Sequence, residues 1–523
     1  MATDLQIAVR RVSSVNPATG EVLRELECAS EKEVLAVVAR ARAAQVEWAA
    51  LGVRKRIEVL REFQRRLHGK KSEIAEAITR EAGKPVAEAL TTEVLVALDV
   101  ARFLVENAYR LLRDEPLPHG NLATKLKRGW LVREPYGVVG IISPWNYPFS
   151  IPATEALAAL VAGNTVVLKP SEFTSLVALE LESLLRAAGV SKAVFQVVVG
   201  DGATGAALLH SRIDKLIFTG SVATGKGIAV AAAERLLPVV LELGGKDPML
   251  VLDDADVDVA SSAAVWGAFV NAGQTCLSVE RCYVHRSLYE SFLKACVEKT
   301  KKLRVGNGRD RETDVGPMIH ERQLRIVQSH VDDAVARGAR VLAGGSRFPE
   351  LGQNFYKPTV LADLTHEMRI MREETFGPVL PVAAFENDEE AVQLANDSEF
   401  GLAASVWTRD AARGERLARS IQAGTVMVND VVSCFGISEA PHGGVKSSGV
   451  GRAHGRFGLE EMVRLKYLDS DLMPGMKKVW WYGYGASFAR QMEGFLDMQF
   501  ARGLGNRLSG AMRAAGVLRR KRL

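Results

Sequence analysis

The sequence predicts a two-unit α/β protein, on three observations. At 523 residues the chain exceeds what one ordinary hydrophobic core supports. Residues 31–113 carry apolar positions recurring at three and four, the period of amphipathic helices. From residue 137 onward, short apolar runs alternate with helical patterns, which is the order of a parallel sheet covered by helices.

Taken in order, helices are expected over EKEVLAVVARARAAQVEWAAL and RKRIEVLREFQRRLHGKKSEIAEAITREAG. The strand-like runs are GVVGIISP (137–144), NTVVLKP (164–170), AVFQVVVG (193–200), KLIFTGS (215–221) and VVLELGG (239–245). Between them, ATEALAALVAG, FTSLVALELESLLRAAG and ATGKGIAVAAAERL read as helices. Ligands of such a sheet sit at the carboxyl ends of its strands. A second α/β unit starts near DPMLVLDDADVDVA (247–260) and runs to about residue 440. PHGGVKSSGVGRAHGRFG (441–458) is expected to be a loop whose lysine and arginines pack against the body.

Hydrophobic residues at 47% and charged residues at 25% are those of a soluble globular protein. The start, MATDLQIAVRR, has no apolar core with a cleavage site, so no signal peptide and a cytoplasmic location are expected. Five cysteines (Cys28, Cys276, Cys282, Cys296, Cys434) show no metal-like spacing and read as reduced thiols. The net charge of +5 hides an asymmetry. From residue 474 onward ten basic residues face two acidic ones, a net +8, which leaves about −3 for the rest. A slightly acidic body argues against nucleic-acid binding.

The chemistry centres on Cys276 in NAGQTCLS and Glu242 in ELGGK, 34 residues apart. That is too far for a local turn but natural for two elements meeting at one cleft. A thiol nucleophile and a carboxylate base can capture a carbonyl and hydrolyse the resulting thioester. A free thiol is only a few per cent ionised at neutral pH, so it needs a base or a positive field. A lone cysteine is more often structural, and the other four are read so. Glu242 follows a strand, and its apolar neighbourhood speaks against exposure to solvent. Asn146 in PWNYP can donate an amide hydrogen bond or shape a turn. No G-x-G-x-x-G follows a strand. Instead Gly220 and Ser221 stand at a helix start with Gly225 one turn in, a place for a pyrophosphate. Any capped strand–helix junction would look the same.

Together with PWNYP (144–148), KPSE (169–172), FTGS (218–221) and EETFGPV (373–379), these motifs make the chain resemble the aldehyde dehydrogenase superfamily from NPATGEV (16–22) to about Lys466. The resemblance implies a Rossmann-like nucleotide domain over 1–120 and 136–246 and a catalytic domain over 247–440. It also implies a small oligomerisation hairpin from 121–135 and 455–470, in a homodimer or homotetramer. By resemblance, Cys276 attacks an aldehyde and Asn146 joins the Cys276 amide in an oxyanion hole. Glu242 then activates the water that releases a free acid; members that pass the acyl group to coenzyme A lack this glutamate. Trp145, Lys169, Ser171, Glu172, Gly220, Ser221, Gly225, Glu374 and Phe376 would hold the cofactor. A glutamate at 172 repels a 2′-phosphate, which favours NAD, with NADP as the alternative. One departure stands out. Many members carry a second glutamate after the Gly-Arg of the C-terminal glycine-rich loop, and this chain has Ala453 followed by His454. His454 is expected to be structural.

Residues 471–523 form a basic extension with Trp480, Trp481, Tyr482 and Tyr484, then apolar residues mostly at helical spacing. No apolar run reaches membrane-spanning length, while a basic amphipathic helix with interfacial aromatics suits an anionic membrane surface. Packing on the body and disorder are the competing readings. Peripheral contact through 474–523 makes a medium- or long-chain aldehyde the expected substrate. The alternatives are a soluble semialdehyde dehydrogenase and an inactive scaffold keeping the fold.

Overall fold

The computed structural model describes residues 10–478 and 480–516. The first nine residues and the terminal basic run Arg519, Arg520, Lys521 and Arg522 lie outside the described residues.

The expected N-terminal helices form over Glu31–Ala50, Gly52–Gly69, Lys71–Ala82 and Leu95–Leu112. Ser30 starts the first of them with a reciprocal cap. Its hydroxyl accepts from the Glu33 amide, and the Glu33 carboxylate accepts from the Ser30 amide. The periodicity does not show an interruption between the third and fourth helices, where Ala89–Val94 winds as a wider π-helical turn. Such turns are rare and concentrate near functional sites.

The first sheet holds β1 (Val138–Ile142), β2 (Thr165–Lys169), β3 (Phe195–Val197), β4 (Lys215–Thr219) and β5 (Val239–Glu242). All five are parallel, in the order β5-β4-β1-β2-β3. Helices cover both faces, so consecutive residues such as Val166, Val167 and Leu168 are all buried, which explains why these strands read as continuous apolar runs. The short strand Gly449–Val450 closes the edge antiparallel to β5, Gly449 opposite Glu242. Only glycine fits there: φ is 147°, and a Cβ would lie 2.1 Å from the Leu241 carbonyl oxygen. The 441–458 loop packs on the body partly as expected, with Lys446 donating to the Asn396 and Ser398 carbonyls.

The second sheet has seven strands, six of them parallel, with Asp247–Val251 and Val279–His285 at its centre and Arg340–Ala343 antiparallel at one edge. The boundary expected at 246/247 falls between β5 and this sheet's first strand, and both sheets belong to one compact unit, residues 10–112 and 134–464.

A second compact unit comprises 113–133 with 465–516. Its extent differs from the expected 121–135 and 455–470. The strand Glu115–Leu117 pairs with Lys127–Pro135, so the hairpin departs eight residues earlier. At the other end, Leu459, Met462 and Val463 are buried in the core of the first unit and hold that stretch there. Lys127–Pro135 also neighbours Val463–Asp471, completing a three-stranded sheet. The extension is two helices, Ala486–Phe500 and Leu504–Ala514, with Gly503 at φ 83° between them. Among the described residues no helix is long and apolar enough to cross a membrane.

Candidate active site

Two glycines bring the separate motifs together. β5 ends at Glu242, and the chain crosses to the second sheet through Leu243-Gly244-Gly245. A Cβ on Gly245 would stand 2.4 Å from the Cys276 carbonyl oxygen, and one on Gly244 would stand 2.5 Å from a Glu374 carboxylate oxygen. Side chains there would push the loop off both partners. The Gly245 amide donates to Glu374 Oε1 at 3.0 Å and locks the contact. ELGGK, the cysteine loop and EETFGPV therefore meet at backbone distance.

The chain reaches Cys276 through a strained turn. Asn271, Ala272 and Gly273 take left-handed φ values of 54°, 55° and 71°. Each non-glycine residue there costs on the order of 1 kcal/mol or more, so surrounding bonds must over-determine it. The Glu88 carboxylate accepts from the Asn271 amide, and Ile319 N–H donates to Gln274 Oε1. Gly273 faces the Gly377 carbonyl, which would lie 2.1 Å from a Cβ.

Asn146 is fixed by the same network. Its carbonyl accepts from Lys84 Nζ at 2.7 Å and from Asn271 Nδ2 at 3.0 Å. Its side-chain amide donates one N–H to the Gln274 carbonyl, which leaves a second N–H for a ligand. Lys84 is fully buried, pairs with buried Glu93 from the π-helical turn and lies over the Tyr147 ring. Sequence reasoning missed Lys84, Glu93, Asn271 and Gln274. Asn271 and Gln274 stood inside a quoted motif, but besides bonding each other they reach Glu88, Asn146 and Ile319, more than 40 residues away.

The electrostatics are those of a carboxylate and a thiol raised by burial. Burial pushes the Glu242 carboxyl well above its ordinary range; neighbouring Glu155 adds to this and Arg452 opposes it. Both Glu242 oxygens are buried with no hydrogen-bond partner. His442 Nε2 lies 4.0 Å away, beyond hydrogen-bond length, and burial lowers that imidazole to about 4, so it is neutral at pH 7. Burial likewise raises the Cys276 thiol, with Asp247, Glu374 and Glu242 adding to it. A base must therefore take its proton. His454 is buried and neutral, lowered to about 3, and its ring lies 4.5 Å from that of Phe435. Cys28, Cys282, Cys296 and Cys434 are buried free thiols.

Glu155 carries a pH signature. It accepts from the Thr219 hydroxyl, its other oxygen is buried without a partner, and burial lifts its carboxyl from 4.5 to about 8. The folded chain thus holds this proton more tightly than the unfolded chain. Its stabilising contribution is complete below about 4.5 and is lost as pH rises toward 8. Glu155→Gln keeps the neutral form, so between pH 6 and 9 its unfolding temperature should fall less than that of the wild type, by ~2 °C or more. Parallel curves in differential scanning calorimetry would contradict the assignment.

Three cavities line up on these groups. One of about 310 Å³ is lined by Trp145, Asn146, Glu242, Gly244, Cys276, Glu374 and Phe376. An outer one of about 800 Å³ shares Trp145, Gly220 and Ser221 with it and adds Lys169, Ser171 and Glu172. A third, of about 230 Å³, shares Cys276 and Ile151 with the first and runs the other way. Cys276 stands at the junction. Ser221 caps the helix Val222–Ala233 by accepting from the Thr224 amide. Gly225 does not line the cavity: a Cβ there would lie 2.4 Å from Leu243, so it seats the helix against the loop after β5. Lys169, at the end of β2, lies 3.6 Å from half-exposed Glu172. Gly227 beside them faces open space. A helix N-terminus, a lysine–carboxylate pair and room of this size fit a dinucleotide.

The chain matches the model of the aldehyde dehydrogenase family over residues 6–468. It is 40% identical over 491 residues to the 4,4'-diapolycopene aldehyde oxidase of Methylomonas sp, covering 93% of this chain and 91% of that one. To the mitochondrial succinate-semialdehyde dehydrogenase of Oryza sativa subsp. japonica it is 38% identical over 455 residues, covering 87% and 85%. The structure of an NAD-dependent aldehyde dehydrogenase from Sinorhizobium meliloti superposes with a TM-score of 0.86 at 37% identity, over 90% of this chain and 93% of that one. A cysteine and a glutamate on one cavity, the α/β fold and these similarities lead to one conclusion: the chain belongs to the aldehyde dehydrogenase family.

Proposed function

We propose that the protein oxidises an apolar aldehyde, of medium or long aliphatic chain, to its carboxylic acid with NAD(P) as acceptor. The observation that carries this is the cavity of about 230 Å³ beyond Cys276. Val96, Tyr147, Ile151, Trp266, Leu277, Val432 and Phe435 line it with Cys276, threonine, serine and glycine, and no aspartate, glutamate, histidine, lysine or arginine is among the lining residues. A semialdehyde would bring a carboxylate into this lining, and burying an unpaired charge costs several kcal/mol. The diapolycopene aldehyde oxidase supports the same reading, because its alignment covers 93% of the chain. The 473 residues before the extension make up only about 90%, so the match enters the extension. An apolar substrate partitions into lipid, and the reading includes membrane contact through 474–523. The family's oligomeric habit points to a homodimer or homotetramer.

In the proposed reaction Glu242, as carboxylate, takes the Cys276 proton, and the thiolate adds to the aldehyde carbon. The free N–H of Asn146 and the Cys276 amide hold the oxyanion. Lys169, Ser171, Glu172, Gly220 and Ser221 would hold NAD(P) in the adjoining cavity, where it would supply the acceptor for the hydride that leaves the tetrahedral carbon. Glu242 releases that first proton to solvent and then takes one from water, which attacks the thioacyl carbon; the C–S bond breaks, the proton returns to the Cys276 sulfur and the acid departs. With Ala453 in place of a second carboxylate, Glu242 performs both proton transfers. Its carboxyl, without a hydrogen-bond partner in the protein and raised by burial, suits a base that must also give the proton up. Glu172 disfavours a 2′-phosphate, so NAD is the preferred acceptor.

A chain-length series from acetaldehyde to decanal tests this reading. Each methylene buried is worth about 0.8 kcal/mol, so kcat/KM should climb about fourfold per methylene until the cavity is filled. NAD should give higher kcat/KM than NADP, and Glu172→Gln should narrow that gap ~10-fold. A flat series combined with preference for succinate semialdehyde would replace the apolar reading with the semialdehyde one.

A further inference from the structure

We infer that the tip of the C-terminal helical hairpin is a docking surface for an anionic phospholipid bilayer. The two helices, Ala486–Phe500 and Leu504–Ala514, cross at Gly494 and Gly510. A Cβ on Gly510 would lie 2.4 Å from the Met498 amide nitrogen, and one on Gly494 would lie 2.8 Å from the Gly510 carbonyl oxygen. Their inner sides contribute Met492, Phe495, Met498 and Ala514 to an apolar cavity of about 470 Å³ within the same unit. This burial accounts for one set of apolar residues and leaves a second set outside it.

The second set is Leu496, Phe500, Leu504, Leu508 and Met512, one residue in four across both helices and the turn. Their exposures are 52%, 71%, 75%, 57% and 74%. Exposed basic residues lie beside this set, Arg502 and Arg507 at the turn and Arg490 on the first helix, where Glu493 is also exposed. From residue 498 to 516 there is no acidic residue, and Asp497 is occupied by Arg513. Exposed Trp480, Trp481, Tyr482 and Tyr484 belong to the same unit.

Charge decides between the occupants. A second copy of the chain could cover the apolar stripe, but it would set Arg502 and Arg507 against the same cations. An anionic bilayer takes the leucines and phenylalanine at its acyl boundary and the guanidiniums at its headgroups. Neither helix is long enough to span, so contact is peripheral. This rests on the proposed membrane contact and adds the surface and the lipid charge it needs. Binding is read without turnover, so its failure is distinguishable from failure of the proposed reaction.

The test is flotation of the full-length protein with vesicles of phosphatidylcholine alone or with a quarter phosphatidylglycerol. The wild type should float with the anionic vesicles, less so as salt rises, and little with the neutral ones. Arg502→Glu with Arg507→Glu, and separately Phe500→Ser with Leu504→Ser and Leu508→Ser, should each weaken binding ~10-fold or more. NADH formation from a short, soluble aldehyde should stay at the wild-type level in both, reporting an intact body. Wild-type protein that stays unbound at every composition overturns the proposal. So does unchanged flotation of both variants, or a change confined to their sedimentation velocity, which would assign the stripe to a second copy.

Discussion

Replacing Cys276 with alanine should abolish aldehyde-dependent NADH formation, lowering kcat ~10⁴-fold or more while NAD binding stays within about twofold. The asymmetry follows from the geometry. The cavity with Lys169, Ser171 and Glu172 meets the reaction cavity through Trp145, Gly220 and Ser221, so a change at 276 leaves those contacts in place. The other four cysteines offer no replacement nucleophile, since all are buried and none lines the three cavities. Steady-state rates and NAD titration by fluorescence separate the two readouts. Residual turnover within tenfold of the wild type would remove the thiol from the reaction.

Glu242→Gln should split the reaction. The amide keeps the size of the side chain and fills the same buried position, but it cannot act as a base. Thiohemiacetal formation and hydride loss should continue, slowed by the loss of the base for Cys276. Deacylation should stall. Mixing the variant with NAD and an aliphatic aldehyde in a stopped-flow instrument is expected to give one equivalent of NADH per active site and then a steady rate ~10²- to 10⁴-fold below the wild type. Loss of burst and steady rate to the same degree would move the role of Glu242 to the first step alone.

Much of this was legible in the sequence, and the reasons differ from part to part. The parallel strands were legible because burial on both faces demands unbroken apolar runs, as in NTVVLKP, which forms Thr165–Lys169. AVFQVVVG promised a longer strand than the three residues Phe195–Val197, and just beyond its ends the Val194 carbonyl still accepts from Val166 N–H and Val198 N–H donates to the Leu168 carbonyl. Cys276 and Glu242 were legible through their motifs. The reason for the two glycines after Glu242 was not, because it lies in the Cys276 carbonyl and the Glu374 carboxylate, 31 and 130 residues away. The left-handed Ala272 and the buried Lys84–Glu93 pair were hidden for the same reason, since tertiary contacts impose them, whereas left-handed Asn271 also has local bonds to Gln274. The start of the second unit at residue 113 depended on which strand the 127–135 segment would pair with.

The central claim, that one sulfur carries the acyl group and one carboxylate releases it, is tested most directly by trapping. Glu242→Gln protein mixed with NAD and decanal, quenched in acid and digested, is analysed by mass spectrometry. A decanoyl thioester is expected on the peptide containing Cys276 and on no other cysteine peptide, absent when NAD is withheld. NADH released in stoichiometric amount with the Cys276 peptide unmodified would contradict it.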